Sequence, residues 1–117
     1  MTNQSLGHLG ETIAANFLRC KKGYRIIEKN FRSGRGEVDL ICHQGRVVIF
    51  VEVKTRTNQR FGRPEEAITP AKLETLERLA QAYCQTMADT RPWKIEVVSI
   101  LMNIKNQTFT INHLTDL

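Results

Sequence analysis

Gly36-Glu37-Val38-Asp39-Leu40-Ile41 is followed, after a short polar link containing His43-Gln44-Gly45-Arg46, by Val47-Val48-Ile49-Phe50-Val51-Glu52-Val53-Lys54. Both runs are alternating or continuously apolar, as strands are, and so short a link closes an antiparallel hairpin. With Gln44 and Gly45 as the loop and His43 facing Arg46, Asp39 stands opposite Phe50 and Glu37 opposite Glu52. Opposed residues share a face, so Asp39, Glu52 and Lys54 emerge together, with Asp39 diagonal to Glu52 at roughly 7 Å between Cβ atoms. Two carboxylates at that spacing grip one ion. A slip of one residue would send them to opposite faces. This face admits two roles. Alone it would be a solvated Glu-Lys surface of the kind that guards edge strands, but Val48 and Phe50 share it and imply a covering layer.

Upstream, Ser5 to about Cys20 carries Leu6, Leu9, Ile13 and Phe17 at helical spacing, widened by Ala14 and Leu18. Lys21-Lys22-Gly23 ends this helix with cations in the last turn and a glycine at the stop. Glu11 lies off the centre of the stripe among Gly7, Ala14 and Ala15, small neighbours that let a helix approach a sheet. It is either a solvated surface carboxylate or a third acid aimed at the hairpin. Tyr24 to Phe31 predicts a strand and Arg32-Ser33-Gly34-Arg35-Gly36 a turn without phosphate-cradling spacing.

Downstream, Lys54 to Arg63 holds four cations and no acid. A cationic loop beside carboxylates suits a phosphate backbone brought to a metal better than a simple acidic ion trap. Gly62 to Ile68 predicts a short helical turn. Thr69 is a good N-cap with Pro70 at the first helical position, and Leu73, Leu76, Ala80, Tyr83 and Met87 mark one apolar face. Lys72 falls in the first turn, where it is either a plain exposed lysine, the commoner case, or a cation opposing the helix dipole at a small cost that a nearby phosphate or carboxylate would offset. After Arg91-Pro92, Trp93 to Met102 is apolar on both faces beyond Glu96, as a central strand is. Thr108 to Leu114 makes a last, more polar edge strand. The order α-β-β-β-α-β-β predicts an α/β fold, a central mixed sheet flanked by helices.

A chain of 117 residues with 41% hydrophobic and 25% charged side chains predicts one globular domain. No run approaches the roughly 20 apolar residues of a membrane span, and Met1 to Gly10 lack the pattern of a secretion signal, so a cytoplasmic, membrane-free protein is expected. Cys20, Cys42 and Cys84 are odd in number and lack C-x-x-C spacing, which predicts small buried hydrophobes rather than a disulfide or zinc framework. The net charge of +5 and pI near 9.4 are compatible with a polyanionic partner without requiring one.

Asp39, twelve residues, then Glu52-x-Lys54 resembles the D…(D/E)-x-K core of the restriction-endonuclease-like nucleases. The fuller wording, Gly-Glu-Val-Asp-Leu-Ile with Phe-Val-Glu-Val-Lys-Thr-Arg, resembles the bacterial YraN-like family of predicted endonucleases, distantly similar to archaeal Holliday-junction resolvases. The likeness runs over nearly the whole chain and implies a restriction-endonuclease-like fold and Mg²⁺- or Mn²⁺-dependent hydrolysis of DNA, including branched or junction DNA. The family usually has an aspartate where this chain has Glu96. The resemblance implies Asp39 and Glu52 as metal ligands, joined by Glu11 through water and by the backbone carbonyl of Val53. Asp39, Glu52, Lys54 and Glu11 would form the catalytic group. Lys54 would either activate the attacking water or, as we prefer, stabilise developing charge as the ammonium. Arg56, Arg60, Arg63 and Lys72 would contact phosphates, and Phe61 would stack on a base or anchor its loop. A homodimer would suit a symmetric junction, although no dimer surface is legible. The alternative is a nucleic-acid-binding module or adaptor that keeps the fold without turnover.

Overall fold

The computed structural model describes residues 3–57, 63–66 and 68–117. Its elements run α1 (Asn3–Lys21), β1 (Arg25–Ser33), β2 (Gly36–Gln44), β3 (Val47–Arg56), a 3₁₀ turn at Pro64–Glu66, α2 (Pro70–Thr86), β4 (Trp93–Asn103) and β5 (Thr108–Leu114). The strands form a five-stranded sheet in the order β1-β2-β3-β4-β5. Only β3 and β4 pair in parallel among these neighbours. A parallel pair needs a crossover, and α2 supplies it.

The helices cover opposite faces. Ala14, Ala15 and Leu18 of α1 bury against Leu40, Cys42, Ile49, Val51, Val98 and Ile100. Leu76, Leu79, Ala80 and Tyr83 of α2 bury against Val38, Ile41, Val48, Phe50 and Ile95. Strands apolar on both faces are therefore sandwiched, and the predicted α/β architecture is the observed one. The cover inferred from Val48 and Phe50 is α2.

Local chemistry explains the helix ends. Gly23 takes φ +71°, and the Tyr24 amide donates to the Leu18 carbonyl at 3.0 Å, which closes the last turn of α1. At α2 the Thr69 hydroxyl accepts from the Lys72 amide at 3.1 Å, with Pro70 following as expected.

Three expectations are corrected. Gln44 pairs with Val47 and Ile41 with Phe50, so the hairpin loop is Gly45-Arg46, not Gln44-Gly45. Gly45 at φ +59° supplies the positive torsion that a tight hairpin wants at its first loop position. Asp39 consequently does not stand opposite Phe50. Met87 is 56% exposed, because α2 stops at Thr86 and the chain is already turning. Leu79, which the predicted stripe omits, is buried beside Leu76, Ala80 and Tyr83. Cys20 is exposed and Cys84 half-buried, so only Cys42 is the fully buried hydrophobe expected of all three.

Candidate functional site at the fork between β2 and β3

The altered register moves the hairpin by two residues along the partner strand, which preserves parity. Asp39 and Glu52 are thereby brought level rather than diagonal. Pairing with β3 stops at Leu40 and Val51, one step before Asp39 and Glu52 would meet as backbone partners. There the strands fork, and the Asp39 carboxylate enters the gap, accepting the Val53 amide proton at 2.7 Å. A side chain thus takes the place of a ladder carbonyl, leaving the buried amide satisfied.

The fork coincides with an irregularity in β1. Lys29 pairs with Leu40 and Phe31 with Val38, so Asn30 lies across from Asp39, and it adopts φ +54°. Asparagine tolerates that left-handed torsion better than most residues. Alternation breaks at the same level. Val38 packs under α2, whereas Leu40, two residues on, packs under α1.

Two layers of acid converge on the fork. From α1, Glu11 comes close enough that Glu11, Glu37 and Asp39 each place a carboxylate oxygen within 4.8 Å of the others. Asn30 ties this group together, its amide donating to Glu11 at 3.1 Å and to Glu37 at 2.6 Å. Arg32 adds a 3.3 Å ion pair to Glu37. From β3, Glu52 is only 6% exposed. Its carboxylate faces the Lys72 ammonium of α2 at 3.2 Å. Of the two readings of Lys72, an exposed lysine or a helix-start cation offset by an anion, the ion pair matches the second.

Burial pushes the Asp39 carboxyl up to about 8, aided by its hydrogen bond with Glu52 and the negative charges of Glu52 and Glu11 and opposed by the Val53 amide. Crowded carboxylates in a partly desolvated setting thus leave Asp39 holding its proton at neutral pH unless a cation offsets their charge. Oxygen-only donors of this kind suit a hard divalent cation such as Mg²⁺ or Mn²⁺ better than a thiol- or imidazole-seeking metal.

The other anticipated residues fall as follows. Lys54 is exposed, and among the described residues no ion pair joins it to Asp39 or Glu52. Arg56 is half-buried at the end of β3. Arg63 is exposed and 3.9 Å from Glu66. Arg60 and Phe61 lie outside the described residues. Glu96 belongs elsewhere: 1% exposed, it accepts from the Tyr24 hydroxyl at 2.9 Å, lies 2.6 Å from His113 Nε2 and pairs with Lys94 at 3.0 Å. That set braces β4 against β5 and the link between α1 and β1, so Glu96 serves packing rather than the fork. Glu37 and Asn30 were missed as members of the cluster. An asparagine inside a strand pattern was the available signal for a break in it.

Fold and fork define a two-helix α/β domain with an oxygen-rich cluster where two central strands part. The chain belongs to the family described as "Uncharacterised protein family UPF0102", which it matches over residues 10–100. It is 43% identical over 113 residues to a UPF0102 protein of Caldicellulosiruptor saccharolyticus, covering 96% of this chain and 95% of the relative. A UPF0102 protein of Syntrophomonas wolfei is 45% identical over 113 residues, with 96% of each chain covered. One of Chlorobium limicola is 40% identical over 117 residues, covering 96% of this chain and 90% of the relative.

Proposed function

We propose that this protein is a Mg²⁺- or Mn²⁺-dependent endonuclease acting on DNA in the cytoplasm, with branched or junction DNA among its substrates. The observation that carries the proposal is the fork, where Asp39 meets Glu52 at the Val53 amide and Glu11 reaches Asp39 from α1. Its kinship to the D…E-x-K pattern of nucleases supports the same reading.

Asp39 and Glu52 would hold the cation, with Glu11 joining through water and the Val53 carbonyl adding an oxygen. When bound, the ion supplies charge neutralisation at the scissile phosphate and acidifies water. The remaining work falls to the chain itself. Lys54, exposed beside Glu52 on β3, stabilises the charge developing on the phosphate as the ammonium form. Arg56, Arg60 and Arg63 neutralise neighbouring phosphates. Lys72, 3.2 Å from Glu52, holds that carboxylate in place against α2.

Purified protein incubated with linear, flapped and four-way DNA plus Mg²⁺ or Mn²⁺ should cleave at least one substrate. Asp39→Ala and Lys54→Ala should each lose roughly a hundredfold or more of that rate. Equal activity in all three proteins would mark a contaminant and end the proposal. The Lys72–Glu52 pair favours one competing reading, a charge-satisfied site in a module that binds nucleic acid without cutting. Salt-dependent affinity that falls with Arg56 and Arg63 replaced, is indifferent to Asp39→Asn and comes with no cleavage would establish that reading.

A further inference from the structure

We propose that β5 is a self-association edge, pairing antiparallel with β5 of a second copy of this chain about a two-fold axis at Ile111. The two free edges of the sheet, β1 and β5, are built differently. β1 carries Arg25, Glu28, Lys29 and Arg32, has an irregularity between Ile26 and Glu28 and turns Asn30 to a positive φ. Charges and bulges are the devices by which natural edges resist pairing.

β5 has none of them. Thr108-Phe109-Thr110-Ile111-Asn112-His113-Leu114 contains no Asp, Glu, Lys, Arg or Pro and pairs with β4 in unbroken register along its whole length. Its one titratable side chain, His113, is turned inward to Glu96. A chain of net charge +5 therefore presents one strand edge free of formal charge, the groove beside it carrying Lys21 of α1. An edge uncharged along its length is complementary to itself, which is what a two-fold contact demands.

Apolar exposure is concentrated at the same place. Of five large hydrophobics exposed among the described residues, Ile104, Phe109 and Leu117 lie in β5 or within four residues of it. Phe109, 49% exposed, and Ile111 form one wall of a groove whose other wall is Ile13, Phe17 and Cys20 of α1. With the axis at Ile111, Thr110 of one copy stands opposite Asn112 of the other and Phe109 opposite His113. Each Phe109 then lies on the α1 side of the second sheet, beside its groove. The backbone seam sets direction, and the groove adds apolar area toward the roughly 800 Å² per partner typical of stable pairs.

Sedimentation velocity of the full chain from micromolar to near-millimolar concentration tests this, using Thr110→Lys as the edge-guarding variant. Thr110 is exposed, so the variant should keep its circular dichroism while its dimer dissociation constant rises by about tenfold or more. Register is read separately in a Cys20→Ser background. The pair Thr110→Cys/Asn112→Cys should form an intermolecular disulfide on mild oxidation, since directly opposed strand positions satisfy disulfide geometry. The pair Thr108→Cys/Thr110→Cys should not. A monomer at every concentration, a dimer unmoved by Thr110→Lys, or equal cross-linking of both cysteine pairs would each overturn the proposal.

Discussion

Replacing Gly10 by alanine should destabilise this protein even though alanine is the better helix former. Gly10 is buried in α1. A Cβ built there would lie 1.8 Å from Thr55 Oγ1, 3.0 Å from Thr55 Cβ and 3.2 Å from its Cγ2. Rotating Thr55 moves the first and third atoms, but its Cβ is fixed by the backbone of β3. Alanine gains about 1 kcal/mol in helix propensity, and overpacking costs about 1–3 kcal/mol. With an overlap this deep the upper end applies, leaving a net loss of about 1–2 kcal/mol. For a domain of this size that lowers the melting temperature by roughly 4–10 °C. Gly7 of the same helix is the control, because a Cβ there meets nothing within 4 Å, so Gly7→Ala should stabilise by up to about 1 kcal/mol. Thr55→Ala removes two of the three offending atoms and should recover more than half of the Gly10→Ala loss. Urea unfolding of the four variants and the wild type forms a double-mutant cycle with its own control. If Gly10→Ala stabilised as Gly7→Ala does, or if Thr55→Ala gave no rescue, α1 would not be seated on β3 at this point. The delivery of Glu11 to the fork would then need another cause.

Lys72→Met should cost about 1–3 kcal/mol, because it leaves the Glu52 carboxylate buried without its cation, and Glu52→Gln should restore part of that loss; equal stability of wild type and Lys72→Met would refute the pairing. Thr69→Ala should cost about 1 kcal/mol by freeing the Lys72 amide, measured by the same unfolding, and no change would show that the cap is idle. Burial alone would raise the Glu96 carboxyl, but bonds from His113, Lys94 and Tyr24 outweigh it and hold the group below its ordinary value. The unfolded chain therefore takes up this proton first. Stability from the network is complete above the ordinary carboxylate range and is lost as pH falls through the folded value, so Glu96→Gln should flatten the decline in urea midpoint between about pH 5 and pH 2. An unchanged acid limb would sink that assignment.

The sandwich was legible because each element announces itself locally. Thr69-Pro70 marks the start of α2, Gly23 the end of α1, and the apolar run of β4 needs cover on both faces. The two hairpin acids come together although the loop is Gly45-Arg46 rather than Gln44-Gly45, because the observed register sets Asp39 level with Glu52 at the fork. What stayed hidden is non-local. Asn30 and Glu37 join the cluster where a positive φ in β1 coincides with broken alternation in β2, and a torsion is not written in a hydropathy pattern. The Lys72–Glu52 pair likewise depends on where a crossover helix lands. Met87 misled because helical spacing was carried one residue past the end of the helix.

The parallel pairing of β3 with β4 has a consequence for how the charged fork comes into being. Glu52 lies on β3 beside Val97 of β4, a partner that docks only after the crossover through α2, whose first turn holds Lys72. During synthesis the Glu52 carboxylate thus stays hydrated until a late, long-range closure, and the penalty of desolvating it falls near the end of folding rather than in its nucleus. A ribosome-bound fragment ending before Trp93 should have helices and a hairpin but no burial of Glu52.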